Sequence, residues 1–453
     1  MRSLRAAKGV DRVRTVLFIV HGFPPMGGAG VQRVVKFIKH LGEYGWQSIV
    51  LTARLEARDM ALADATLAED LPAGLPVYRS LCPDPFHLYR RLGGRAKLGA
   101  AAFSGSRNSR GLSGTLARLV TGLMVPDTKV LWVPGALGDA REIFARHHVD
   151  AIVSSSPWET VHLIAARLSR VYRTGWLADF RDPWTQASWN PTHPCGLDGL
   201  NRLLERMTLR RADRVVVTSR TTAEGLVATH GGRPGLEDLE GRMHVVYNGY
   251  DEGDFAGVAA KQFDRFTILY SGRVVMPGRS PEPLFAGVTE LLRRRPELVD
   301  KLQVVFVGAR SGEADTLVAR HGLSGIVHFA GYLAHRESLS WVCGADMLYL
   351  NTIRECIPGK FPEYLRSGRP ILGIMEPDCE VAGLIREHRA GVVVAVENRK
   401  GVGDAIQSHL EGKGIRGAHD SRVTQFSRRQ LAGQLAELLE QVARKRQEGC
   451  VKR

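Results

Sequence analysis

The densest chemistry in the chain lies in NTIRECIPGKFPEYLRSGRPILGI, residues Asn351–Ile374. Glu355 and Glu363 are separated by seven residues, with Pro358, Gly359 and Lys360 between them. Pro362 suits a first helical turn and Gly368 a helix end, so Glu355 falls on a loop and Glu363 on a short following helix. The helix start at Gly359–Lys360 offers a phosphate N–H groups and a cation. Glu363, just inside, can accept hydrogen bonds from a ribose diol. Glu355 can bind sugar hydroxyls or face a developing positive charge. A second cationic segment, YSGRVVMPGRS, carries Arg273 and Arg279 six positions apart. Two guanidinium groups on one loop can grip one diphosphate through planar, bidentate bonds. Two solvated arginines are the plainer reading in so basic a chain.

Three further segments carry candidates. In HGFPPMGGAGVQRVVKF, Gly27, Gly28 and Gly30 permit close backbone approach ahead of a helix whose free N–H groups suit an anion. It is not a dinucleotide fingerprint, because Arg33 stands where a third glycine belongs. A tight strand-to-helix turn and a phosphate- or sugar-facing loop both fit. In WLADFRDPWTQ, Asp179 and Asp182 flank Arg181. Either Arg181 pairs with them structurally, or one carboxylate faces a ligand as an acceptor-binding group or base. Placement at a strand end favours the second. In AIVSSSPWETVHL, Ser156, Pro157 and Glu159 read as N-cap, N1 and N3 of a capping box. His162, one turn further, is an ordinary helix histidine or a catalytic one, the first being commoner.

These segments follow short apolar runs. Val16–Val20, Ser48–Thr52, Val77–Ser80, Ala151–Ser156, Trp176–Phe180 and Val215–Ser219 read as buried parallel strands separated by helical patterns. The pattern pauses in the glycine-rich, polar residues 228–243. It restarts with Thr267–Tyr270, Val304–Val307, Val327–Phe329, Met347–Leu350, Ile371–Ile374 and Val392–Ala395. Two α/β domains of similar size are expected: residues 1–250, residues 251–424, and a tail of residues 425–453 that begins with helical apolar spacing and turns basic. Ligands of open parallel sheets sit at the carboxyl ends of strands, which is where the candidates lie.

Composition narrows the rest. The chain has 453 residues, 44% hydrophobic and 24% charged, as expected of a globular protein. Its six cysteines form no C-x-x-C pair, which excludes a zinc ribbon or thioredoxin motif and makes a reducing cytosol the default. Lys plus Arg number 62 against 47 Asp plus Glu, a net charge of +15 that favours an anionic partner. No stretch approaches the ~20 apolar residues of a spanning helix. The basic start leads into a first strand, not a cleavage site.

Taken in order, FPPMGGAGVQRVVKFIKHL, SSSPWETVHLIAARL, ADFRDPWT, the NGYD turn at Asn248–Asp251 and the Glu355–Glu363 segment resemble family-4 glycosyltransferases of the GT-B fold. The likeness runs over nearly the whole chain. It is nearest to the subgroup serving bacterial cell-surface polysaccharides, including amino-sugar transferases of capsule and O-antigen pathways. The resemblance implies two Rossmann-like domains facing across a cleft, with a C-terminal helix crossing back to the first. It implies a nucleotide-sugar donor, held mainly by the second domain, and transfer with retention. No obligatory metal or other cofactor is expected. By position, Arg273 and Arg279 would clamp the diphosphate, with Arg279 where many members have lysine. Lys360 would stabilise the leaving group, Glu363 would bind the ribose and Glu355 the donor sugar. Gly28 and Gly30 would let the first loop approach the donor phosphate. The family's N-domain histidine has His162 as its best positional match, with Asp182 as rival.

Residues 92–125 are basic and glycine-rich, then amphipathic. They suggest an anionic membrane surface carrying a lipid-linked or glycan acceptor, with the protein cytoplasmic and peripheral on the inner face of the membrane. A flexible loop followed by a buried helix explains them equally well. The rival functions are a sugar-nucleotide epimerase or hydrolase of the same fold and a non-catalytic scaffold. A nucleic-acid partner ranks last, because no module motif accompanies the charge.

Overall fold

A computed structural model describes residues 12–54, 64–83, 122–187, 197–275, 279–414, 417–418 and 421–451. The first sheet contains β1 (Arg14–Ile19), β2 (Trp46–Ala53), β3 (Val77–Ser80), β4 (Ala151–Ser155), β5 (Gly175–Phe180), β6 (Arg214–Val217) and β7 (Met243–Val245). They lie in the order β3-β2-β1-β4-β5-β6-β7. The second contains β8 (Phe266–Ser271), β9 (Leu302–Val307), β10 (Val327–Gly331), β11 (Met347–Asn351), β12 (Ile371–Ile374) and β13 (Gly391–Val394), in the order β10-β9-β8-β11-β12-β13. Every pairing is parallel. These are the two Rossmann-like sheets of a GT-B architecture. Twelve strands coincide with the apolar runs to within two residues at each end. The three-residue edge strand β7 is an addition, too short and too half-buried to leave an apolar signature.

Both faces of each sheet are covered, so the strands read as continuous apolar runs rather than alternating ones. In β1, Leu17 and Ile19 join a core with Trp132 and Trp176. Val16 and Phe18 face the opposite core, shared with helix α1 (Ala29–Leu41). That second core is completed from far along the chain. The last helix, Arg428–Val451, inserts Leu431, Leu435, Leu439 and Val442 into it. It crosses back from the second half to the first. Gly175 makes the docking possible, since a Cβ there would stand 2.5 Å from both a methyl and the carbonyl oxygen of Val442. The two chain crossings between the halves are bound to each other: Tyr250 N donates to Phe426 O at 3.0 Å and Arg428 N to Tyr250 O at 2.7 Å.

Strand order reverses between β1 and β4 and again between β8 and β11. The loops leaving those switch points, together with the one after β5, carry the motifs singled out above except the NGYD turn, which follows β7. Most of the basic segment 92–125 lies outside the described residues. Among the described residues no helix is long and apolar enough to cross a membrane.

Candidate functional site

In the second half, Gly272 after β8 and Gly308 after β9 have φ of 127° and 141°. A Cβ on Gly308 would come within 2.2 Å of Gly272 O, and one on Gly272 within 2.7 Å of Lys360 Nζ. The two turns therefore touch, with the Lys360 amine laid over them and 3.4 Å from the Tyr270 ring centre. Lys360 caps the helix Phe361–Ser367, Pro362 sits in its first turn, and Gly368 closes it at φ 69°. Seven residues make a weak dipole, so the positive charge here belongs mainly to side chains. Burial, and next the Arg279 charge, press the Lys360 amine well below its usual range, against the pull of Glu363. Arg279 also acts electrostatically on the Cys356 thiol, which burial pushes up. Lys360 and Arg279 have no ion pair among the described residues. Such neighbouring cations are costly without an anion between them. Arg273 is exposed and its carbonyl accepts from the Tyr270 hydroxyl. The two arginines are thus unequal in setting.

Glu355 is half-buried, with no hydrogen bond or ion pair among the described residues. Glu363 is engaged: its Oε1 accepts from His335 Nε2 at 3.0 Å. Burial pulls the His335 imidazole down, but the charge and hydrogen bond of Glu363, with Asp254 behind, outweigh it and raise it to about 9.

In the first half, Gly28 caps α1 at φ 107°, and Gly30 has no room for a side chain, because a Cβ would stand 1.5 Å from Arg181 Nη1. The first loop and the loop after β5 are therefore in contact. Arg181 pairs with Asp182 at 3.1 Å, the carboxylate remaining 34% exposed. Asp179 pairs instead with Arg33. Asp182 and Arg181 also act on Cys356 electrostatically. The loops after β5 and β11, one from each half, thus lie near enough for Asp182 and Arg181 to act on Cys356, on which Arg279 acts as well.

Two readings of the segment after β4 are corrected. The helix there begins at Thr160, and its N-terminal amide and hydroxyl are held by Asp127 at 2.8 and 2.9 Å, not by Ser156 and Glu159. Glu159 is half-buried, and burial, then Asp127 and Asp182, raise its carboxyl to about 8. Its place after a switch-point strand was the available signal. His162 is withdrawn as a catalytic candidate. It is 0% exposed, bonded to Ser154 at 2.8 Å and stacked 4.6 Å from Phe180. Burial lowers its imidazole to about 3.

Sequence reasoning also missed His335, Arg33 and Arg428. Arg428 is buried with Nη1 unpartnered, and burial, then Arg33, lower its guanidinium to about 9. Among the described residues no three His, Cys, Asp or Glu gather as a metal site would require.

A family model described as Glycosyltransferase Family 4 matches residues 26–253, half of the chain. The chain belongs to glycosyltransferase family 4. A second model, Glycosyl transferases group 1, matches residues 265–412 of this family member. Curated relatives include D-inositol 3-phosphate glycosyltransferases of Nocardioides sp., 25% identical over 236 residues, and of Streptomyces scabiei, 27% identical over 206. These matches cover 47% and 42% of this chain and 49% and 44% of the relatives, so the chain spans about half the length of the curated relatives it matches. Sucrose-phosphate synthase from Thermosynechococcus elongatus has a similar structure, with TM-score 0.58, 14% identity and coverage of 95% of this chain and 94% of that one. TarM gives 0.58 at 8% identity over 98% and 99%. UDP-GlcNAc 2-epimerase from Methanocaldococcus jannaschii gives 0.51 at 13% over 94% and 99%. At these identities the likeness speaks for the GT-B fold alone.

Proposed function

We propose that this family member transfers a sugar, with retention, from a nucleotide-sugar donor to a glycan or lipid-linked acceptor in cell-surface glycan synthesis. The observation carrying this reading is the pair of cations, Lys360 and Arg279, that have no carboxylate ion pair among the described residues, at the switch point of the second sheet. A diphosphate between them satisfies both. As the donor bond breaks, negative charge grows on that diphosphate, and the two cations stabilise it without reorganising. The same charges perform the task a metal would otherwise have, so turnover is expected to survive EDTA. Glu363 is the ribose acceptor, exchanging its His335 bond for a diol, and Glu355 holds the donor sugar. Gly28 and Gly30 approach the phosphates from the other half. Asp182 and Glu159 take the acceptor side, as hydrogen-bond acceptor and donor. A wall with two carboxyl groups suits sugar hydroxyls better than the phosphorylated polyol for which the relatives are named. The cytoplasmic face of a membrane, where lipid-linked acceptors are reached, is the proposed place of action.

The test is a thermal-shift screen against nucleoside diphosphates and nucleotide sugars, with Glu363→Ala and Arg279→Ala beside the wild type. One nucleotide should stabilise the wild type and neither variant. Equal shifts in all three would overturn the site. Turnover of the matching donor without any acceptor, beyond slow hydrolysis, would favour an epimerase or hydrolase instead.

A further inference from the structure

Arg33 is 0% exposed, and all five of its N–H donors are used. Nε donates to Asp179 Oδ2 at 3.1 Å, and Nη2 to Asp179 Oδ1 at 3.0 Å and to Val246 O at 2.9 Å. Nη1 donates to Tyr247 O at 2.8 Å and to Asn248 Oδ1 at 3.4 Å. Asp179 is fixed in turn by the Ser155 hydroxyl at 2.7 Å. One planar group therefore joins three pieces of chain. The first is α1, whose N-cap is Gly28. The second is the end of β5, which leads to Arg181 and Asp182. The third is the linker to the second half. That linker reaches onward, for the Tyr247 hydroxyl donates to Glu380 of the second half at 2.9 Å, and Glu380 accepts from the amides of Arg220 and Thr221 in the first.

We propose that Arg33 is a positioning residue that locks the Gly28–Gly30 loop and the Asp179–Asp182 loop to the inter-sheet linker, so that movement of one half against the other is delivered to the loop facing the donor phosphates. This rests on the donor-site reading above. The Asp179 carboxylate takes only two of the five donors, and the other three go to the linker, at positions 246–248. Lysine keeps the charge but has three donors on a single nitrogen and cannot reach a planar set of five acceptors.

The experiment is hydrogen exchange on the whole chain, wild type and Arg33→Lys, with and without UDP, GDP or ADP. Asp179→Asn serves as a milder second variant should Arg33→Lys fold poorly. Without nucleotide, the variants should exchange at least tenfold faster in residues 22–32, 179–184 and 246–251 together, while β8 to β10 are unchanged. With the nucleotide that binds, the wild type should gain protection in 246–251 and 22–32 alike, and the variants in the first segment only. Faster exchange confined to 246–251, or unaltered nucleotide protection of 22–32 in the variants, overturns the proposal. If no nucleotide protects the wild type anywhere, the donor reading fails. The unliganded comparison still decides whether the three segments are coupled through Arg33.

Discussion

Replacing His335 by glutamine removes an imidazolium while leaving a neutral group that can still bond Glu363. The folded imidazole is raised from 6.5 to about 9. At 1.36 kcal/mol per pH unit that corresponds to about 3 kcal/mol at full strength. The two side chains are 20% and 18% exposed, and solvent screening trims the value to about 2 kcal/mol. Because the folded value lies above the unfolded one, the stabilisation is complete below about pH 6.5 and is lost as pH rises through about 9. Urea unfolding of wild type and His335→Gln should therefore differ by about 2 kcal/mol near pH 6 and converge near pH 10. The same gap at both pH values would show that the contact is not ionic, and would count against a charged His335 holding Glu363 until a ribose claims it.

Three other substitutions probe neighbouring claims. Gly28→Ala meets no atom within 4 Å, yet φ 107° is foreign to an L side chain. It should cost about 1–3 kcal/mol in urea unfolding, and an unchanged midpoint would show that the loop relaxes freely. Lys360→Met removes a half-buried cation beside another, so the melting temperature should hold or rise while the thermal shift given by a nucleoside diphosphate disappears. A retained shift would place the diphosphate elsewhere. His162→Phe should leave turnover within about threefold of wild type, because the ring belongs to the core. A loss of about a thousandfold would return it to the chemistry.

The fold was legible because parallel strands covered on both faces are unbroken apolar runs, and here nearly every run is a strand. The loops were legible for a related reason: a motif that follows such a run must lie at a carboxyl end, where ligands bind. Long-range pairing was not. Arg33 and Asp179 are 146 residues apart, and the sole local hint was an arginine in place of a glycine. Ser156-Pro157-x-Glu159 has the letters of a capping box, but the cap came from Asp127, 33 residues before the Thr160 amide that it holds. His162 shows the reverse failure. A polar residue on a helix carries no mark of which way it faces, and the apolar stack on Phe180 settled it.

The returning helix has a consequence for the order in which the molecule is built. One face of the first sheet is closed by Leu431, Leu435, Leu439 and Val442. A ribosome passes the last strand of that sheet and then synthesises the entire second half before those residues emerge, an interval of about 10–40 seconds at ordinary rates of elongation. Through that interval the nascent first half holds an open apolar groove beside Gly175. A stop codon after the second sheet would leave that groove open permanently, so the expected product is a chaperone-bound or aggregated fragment rather than a working half-enzyme.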